Sequence, residues 1–410
     1  MRLIHRSEHA LPIEGVELAA VATGLRYKQR DDLCLVRIGP GAAFHCLYTT
    51  NRFCAAPVVV ARAHQACGKT PRCLVINAGN ANAGTGKGGE TAALEVCAAV
   101  AAQEGCDMTE VLPYSTGVIG QAINIRALAS CVPSLFERLS KDGWTKAAAA
   151  ILTTDTRVKL RSVKVESGDL EFTVTGMAKG SGMIKPNMAT MLAFIATDAP
   201  LPQDVLERLS AGVVQRTFNR ITVDGDTSTN DACAFIATGA REASALLQLG
   251  SDGVGQLYAD IEAGLEAVCE ALAQDIVRDG EGATKFVSVH VSGAESDSEC
   301  VKVAYAVAES PLVKTALFAS DPNWGRILAA VGRSGCEPLQ IDAVNIDIGP
   351  CPIVRSGEPV ADYEEAEVAR VMSATDVAIN ISVGAGPGKV TVWTCDFSYE
   401  YVRINAEYRS

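Results

Sequence analysis

Several chemistries are excluded by what this chain has little of. With five histidines in 410 residues, no H-E-x-x-H and no His-rich cluster, it supports neither a zinc hydrolase nor a Ser-His-Asp triad. Its fourteen cysteines include no C-x-x-C pair and none at zinc-site spacing. They read as small buried apolar residues rather than bridges, and reducing conditions are expected to leave activity intact. Basic residues are outnumbered, 36 against 48 acidic, for a net charge of −12. A phosphate backbone needs a clustered cationic surface, so nucleic acid is excluded as a partner. No stretch approaches the roughly 18 apolar residues of a membrane span. Arg2, Arg6, Glu8, Glu14 and Glu17 interrupt any leader-like apolar region, so the expectation is a cytoplasmic protein with no membrane partner.

What is present is a globular composition, 48% apolar and 20% charged, on a chain longer than one core usually serves. One large α/β domain with a smaller partner, or two lobes, fits that length. LCLVRI (33–38), AAPVVVA (55–61) and CLVINAG (73–79) read as short strands. ETAALEVCAAVAAQ, from Glu90, reads as a helix after a glycine-rich loop, and residues near 134–152 as a second alanine-rich helix. LEFTVTGMAKG and MLAFIATDA read as strands, LPQDVLERLSAGVVQRTFN and residues 254–277 as helices. From KFVSVHVSG to VTVWTCDF, strands and helices alternate. The fold class is therefore mixed α/β with layered sheets and helices; strand order is not readable.

The densest chemical signal is KGSGMIKPNMATMLAFIATDA, residues 179–199, where turn-forming residues run up to an Ala-Thr junction before an apolar strand. A threonine hydroxyl is a poor nucleophile unless a base stands beside it. Cutting the Ala189–Thr190 bond would give Thr190 its own α-amine, a group whose usual pKa of about 7.7–8.0 lets it accept the hydroxyl proton. Taken alone, the same residues also fit an ordinary strand entrance with a surface hydroxyl.

This run resembles the nucleophile signature of the ornithine acetyltransferase family, also called bifunctional glutamate N-acetyltransferase, whose precursor cleaves itself before that threonine. The resemblance extends, in family order, through TTNRFCAAPV (49–58), INAGNANAGTG (76–86), STGVIG (115–120), TTDT (153–156), ITVDGDTSTND (221–231), GEGATKF (280–286), DPNWGRIL (321–328) and INAEYRS (404–410). It implies a helix–sheet–sheet–helix sandwich like those of N-terminal-nucleophile enzymes, with a smaller α/β C-terminal lobe over about 285–395. It also implies an α chain of residues 1–189 and a β chain of 190–410 that fold together and assemble as an oligomer of such pairs.

The activity implied is transfer of acetyl from N-acetylornithine to glutamate in arginine biosynthesis, with no metal or organic cofactor; whether acetyl-CoA also serves as donor is left open. The resemblance assigns the oxyanion hole to the Thr116 hydroxyl and the Gly117 N–H, and substrate binding to Thr153, Lys179, Thr190, Glu281, Asn405 and Ser410. Lys179 is expected to meet a carboxylate and Glu281 the ornithine ammonium. Ser410 stands where the family usually has threonine, keeping the hydroxyl.

Two other patterns fail on chemistry. NAGTGKGGE lacks both the leading glycine of a phosphate loop, Ala81 standing there, and the magnesium-binding hydroxyl, replaced by Gly88. DGDTSTND lacks the glycine and the final acid of a calcium loop and reads as a polar turn holding buried hydrogen bonds. Two rival functions stay open: an N-terminal-nucleophile amidase, in which water resolves the acyl-enzyme, and a non-catalytic amino-acid sensor, which would be expected to lose the nucleophile or the Thr-Gly pair.

Overall fold

The structure is a computed structural model and describes residues 4–7, 9–185, 191–240 and 251–407. The chain divides into two compact units.

The first unit takes the described parts of Met1–Gly180, Pro186–Asn219 and Thr227–Ala273. Its strands are β1 (Ile4–Ser7), β2 (Val16–Val21), β3 (Leu33–Ile38), β4 (Ala43–Tyr48), β5 (Cys73–Asn80), β6 (Val111–Val118), β7 (Lys159–Ser167), β8 (Leu170–Lys179), β9 (Leu192–Thr197) and β10 (Ala232–Ala237). Between them run helices α1 (Ala56–Gln65), α2 (Gly86–Glu104), α3 (Ile125–Glu137), α4 (Trp144–Ala150) and α5 (Gln203–Arg216), followed by α6 (Ser251–Arg278), which belongs to this unit as far as Ala273.

The strands form a six-stranded sheet, β1-β7-β8-β9-β10-β4, and a four-stranded sheet, β2-β3-β5-β6. Period-two alternation sorts β3 between two cores. Cys34, Val36 and Ile38 join Leu74, Ile76, Phe44, Leu192, Phe194, Ala232 and Ala234 in the layer between the sheets. Leu33 and Leu35 point the other way, against Val96, Val100 of α2 and Leu128, Val132 of α3. On the far side of the larger sheet, α6 packs so closely on β8 that a Cβ at Gly176 would stand 2.9 Å from Val268. There too, α5 is tied to β4 through Ser210 Oγ and His45 Nδ1, 2.7 Å apart. The layering is helix–sheet–sheet–helix.

The second unit takes Ser181–Lys185, Arg220–Asp226 and the described part of 274–410. It contains β11 (Phe286–Gly293), α7 (Asp297–Ala308), α8 (Pro311–Phe318), α9 (Trp324–Gly332), β12 (Asn345–Ile348), β13 (Cys351–Arg355), β14 (Glu358–Pro359), α10 (Glu365–Met372), β15 (Asp376–Ser382), β16 (Gly386–Cys395) and α11 (Tyr399–Glu407). Its sheet runs β14-β13-β12-β15-β11-β16 over a core of Val287, Val289, Val303, Val307, Ile346 and Ile379, among others.

Two local expectations are corrected. Residues 56–61 form the start of helix α1, with Ala55 as its N-cap, not a strand. Pro57 falls in the first turn, where its missing N–H is an orphan anyway, and the buried Pro57, Val58, Ala61 and His64 recur at three and four residues while Val59 is exposed. The helix expected near 134–152 is two helices, α3 and α4. They are broken where Ser140 exchanges backbone hydrogen bonds with Leu18, and a Cβ at Gly143 would lie 2.2 Å from the Leu18 carbonyl. All fourteen cysteines are free thiols, and only Cys67 is exposed.

Candidate active site

Strands β5 and β6 run parallel and end together, Gly79 beside Gly117. Gly117 has φ of +128°, and a Cβ on it would stand 2.3 Å from the Gly79 carbonyl carbon. No side chain fits there, so the two backbones touch and the Thr116–Gly117 peptide is held by contact rather than by a loop. The strand end is braced from beneath. Ser115 Oγ donates to Asn77 Oδ1, and Asn77 Nδ2 donates to the Asn80 carbonyl at 2.8 Å. Thr116 is 8% exposed, a buried hydroxyl at the rim of that braced turn.

The brace continues into the residues just before β10. Asn230 Nδ2 donates to the carbonyls of Ala81, at 2.6 Å, and Ser115, at 2.9 Å, while its Oδ1 accepts from Thr229 Oγ1. The segment 49–55 lies along the same residues: Thr49 Oγ1 donates to the Ser228 carbonyl and Asn51 Nδ2 to that of Thr227. A single asparagine thus ties the polar turn to the shared C-terminal end of β5 and β6.

Lys179 closes β8, opposite Leu192 of β9. Beneath it sits Asp155, whose side chain is fully buried. Asp155 Oδ1 accepts from Lys159 Nζ and the Gly180 N–H, both at 2.7 Å; Oδ2 accepts from the Thr153 N–H at 3.0 Å and lies 3.8 Å from Lys179 Nζ. Burial works against ionising this carboxyl, but the charges of Lys179 and Lys159 and the bonds from Lys159 and Gly180 outweigh it and hold its pKa below the ordinary carboxylate range. Asp231 is the opposite case. It is 2% exposed, and desolvation drives its pKa well above the usual value against the pull of Ser228 hydrogen bonds and the Lys179 charge. Two buried carboxyls near one lysine thus have their pKa values pushed in opposite directions.

In the second unit Asn405 Nδ2 donates to Glu281 Oε2 at 2.8 Å. Glu281 is 7% exposed, and its backbone N–H donates to the Ser181 carbonyl. Asp224 accepts from the N–H groups of Met183, at 2.6 Å, and Ile184, at 2.9 Å, so residues 181–185 are fastened on both sides.

Thus Thr153 and Lys179 share Asp155, Glu281 and Asn405 bond to each other, and Thr116 and Gly117 are linked to the β10 turn by Asn230. Ala189, Thr190 and Ser410 lie outside the described residues. Their described neighbour Met191 accepts through its carbonyl from the Ala232 N–H at 2.9 Å, in register with the β9–β10 pairing. Sequence reasoning missed Asp155, Asn230 and Asp231. All three stand inside segments singled out above: in TTDT only Thr153 was given a role, and DGDTSTND was read as a polar turn without a role for either Asn230 or Asp231. Among the described residues no group of His, Cys, Asp and Glu is arranged to hold a metal ion, and no helix is long and apolar enough to cross a membrane.

A layered α/β sandwich that concentrates buried, paired charge at its strand ends has the build of an enzyme. Comparison with known proteins gives its family: the ArgJ family matches residues 17–410, and the chain belongs to it. Among relatives, the arginine biosynthesis bifunctional protein ArgJ of Psychrobacter arcticus is 49% identical over 403 residues, covering 98% of each chain. That of Methylococcus capsulatus is 48% identical, covering 97% of this chain and 96% of its own. The crystal structure of the Bacillus halodurans arginine biosynthesis bifunctional protein is 41% identical and aligns with a TM-score of 0.48, over 53% of this chain and 99% of that one. The chain is an acetyltransferase of arginine biosynthesis.

Proposed function

We propose that the chain cuts itself between Ala189 and Thr190 and then moves acetyl from N2-acetyl-L-ornithine to L-glutamate through an acetyl-Thr190 intermediate. The freed α-amine takes the hydroxyl proton, directly or through a water, as Oγ bonds to the acetyl carbonyl carbon. The oxyanion is met by the Thr116 hydroxyl and the Gly117 N–H. The C–N bond to ornithine then breaks, and the amine returns the proton to the departing nitrogen. Glutamate repeats the steps in reverse on the acetyl ester, restoring the Thr190 hydroxyl.

What carries this reading is the charge arrangement at the end of β8: a buried lysine steadied by an ionised Asp155, one strand away from Met191. Lys179, with Thr153 beside it, is suited to the α-carboxylate that N-acetylornithine and glutamate share. Glu281, aimed by Asn405, is suited to the side-chain ammonium of ornithine, and Ser410 joins them in binding substrate. Pairs of the 1–189 and 190–410 chains assemble further into an oligomer.

The direct experiment supplies N-acetylornithine and glutamate. Formation of N-acetylglutamate by the wild type and its loss in Thr190→Ala are expected; free acetate alone would mean hydrolysis, and turnover by Thr190→Ala would refute the nucleophile. The relatives are named bifunctional, which favours acetyl-CoA as a second acetyl donor to glutamate. Acetylation of glutamate by acetyl-CoA in the absence of N-acetylornithine checks it.

A further inference from the structure

One guanidinium in the first unit is held in place yet has no counter-charge. Residues 22–32 connect β2 to β3 and are closed at their base by the buried Asp32, which accepts from the Thr23 N–H at 2.7 Å and from Thr23 Oγ1 at 2.9 Å. Within this loop Arg30 stacks on Tyr27, its Cζ 3.8 Å from the ring centroid. Tyr27 in turn lies against Gly79 at the end of β5, where a Cβ would stand 3.3 Å from the ring. Arg30 Nη2 donates to the Leu152 carbonyl at 2.7 Å. Arg30 is half-buried, its Nε is buried without a partner, and among the described residues no carboxylate pairs with it. A buried donor left unpaired costs free energy, so filling space is a poor reason for arginine here; leucine or methionine would do that without the cost.

The Leu152–Thr153 peptide ties this cation to the carboxylate site. Its carbonyl accepts from Arg30, and its N–H donates at 3.0 Å to Asp155 Oδ2, which lies 3.8 Å from Lys179 Nζ. Along that path the Arg30 and Lys179 nitrogens are no more than about 12 Å apart. The two carboxylate carbons of an extended glutamate are about 5 Å apart, and a charged hydrogen bond adds about 3–4 Å at each end. One glutamate can therefore reach both. N-acetylornithine has a single carboxylate, and its cationic side chain gains nothing from a guanidinium.

We propose that Arg30 selects the acetyl acceptor: its guanidinium takes the side-chain carboxylate of glutamate while Lys179 holds the α-carboxylate. The inference rests on the reading of Lys179 as the α-carboxylate site. Arg30 makes and breaks no covalent bond and moves no proton. Tyr27 and Leu152 fix the plane of the fork, leaving Nη1 and the second Nη2 proton for a carboxylate. Discrimination follows from charge. Glutamine matches glutamate in length but is neutral, and would leave the guanidinium without its counter-ion.

In a ping-pong reaction kcat/KM for each substrate reports its own half of the cycle. Wild type should prefer glutamate to glutamine as acceptor by about 10- to 100-fold in kcat/KM. Arg30→Met keeps an unbranched stem on Tyr27 and removes the charge. It should bring that preference to within about threefold of none, lowering kcat/KM for glutamate about 10- to 100-fold while that for N-acetylornithine changes less than about fivefold. Arg30→Lys, a cation without the fork, should keep an intermediate preference. Both acceptors are compared in one preparation, so the ratio does not depend on the fraction that folds. A role confined to holding the Leu152–Thr153 peptide would lower kcat/KM for both substrates together and leave the acceptor ratio at its wild-type value. That result would overturn the proposal, as would a wild type indifferent between glutamate and glutamine. Lys179→Met separates the two assignments: if it spares N-acetylornithine, the α-carboxylate reading fails, and if it impairs both substrates while Arg30→Met keeps the wild-type ratio, Arg30 alone is wrong.

Discussion

Glu281 and Asn405 are 124 residues apart in the chain and joined by a hydrogen bond of 2.8 Å. On its other side the Glu281 carboxyl is pressed by Gly182, where a Cβ would lie 2.5 Å away. Helix α11 and the segment 181–185 thus fix one acid from two directions.

Releasing it should weaken binding more than chemistry. Asn405→Ala removes a bond to a charged acceptor, worth about 1.5–3 kcal/mol, of which part is recovered from water. A rise of about 5- to 20-fold in KM for N-acetylornithine, with kcat changed less than threefold, is expected from steady-state kinetics. Glu281→Gln should raise KM further, and the increase should be smaller for glutamate, which lacks the second amine.

Asp155 holds two lysines, and Asp155→Asn leaves both without their shared counter-charge. Breaking a buried pair from one side costs about 3–5 kcal/mol, read as a lowered urea midpoint at pH 7. The pH dependence has a fixed sign. Because the folded-state pKa of Asp155 is depressed, its stabilisation is complete above the unfolded value of about 3.9 and disappears as pH falls toward the folded one. The gap between wild type and variant should therefore be full at pH 6 and shrink steadily below pH 4.

Gly117→Ala puts a methyl where the Gly79 carbonyl carbon already is, at a φ that side chains rarely adopt. The strands must part, at a cost of about 1–3 kcal/mol in strain. Lower Tm and a fall in kcat of at least about 100-fold, as for a lost oxyanion donor, are expected together. A variant with wild-type kcat would remove Gly117 from the oxyanion hole.

Intact mass of the purified wild type should show two chains, 1–189 and 190–410, where Thr190→Ala shows one. Full activity in a preparation that is a single unbroken chain would end the N-terminal-nucleophile reading.

Strands β3, β5, β8 and β9 of the first unit were legible because they are short apolar runs whose pattern carries that information locally, while β10 was passed over and the helix–sheet–sheet–helix layering came only from the resemblance. Residues 55–61 misled for the same reason: three valines in a row resemble a strand, and only the buried face of α1 reveals the helical period. The candidate site divides along similar lines. Thr116, Gly117, Lys179 and Glu281 sit in segments whose resemblance to a family is strong enough to assign them roles. Asp155, Asn230 and Asp231 owe their importance to partners brought near by folding, Asn230 to Ala81 and Ser115, Asp155 to Lys179, and no spacing along the chain announces those meetings.

The larger sheet of the first unit runs β1-β7-β8-β9-β10-β4, so strands β9 and β10 lie between β8 on one flank and β4 on the other. A nick before Met191 would leave these two strands clasped by pieces of the earlier part of the chain, with ladders to undo along both edges. Severing the backbone there frees an end without loosening a half, and such an enzyme can be broken covalently at its centre while remaining mechanically whole.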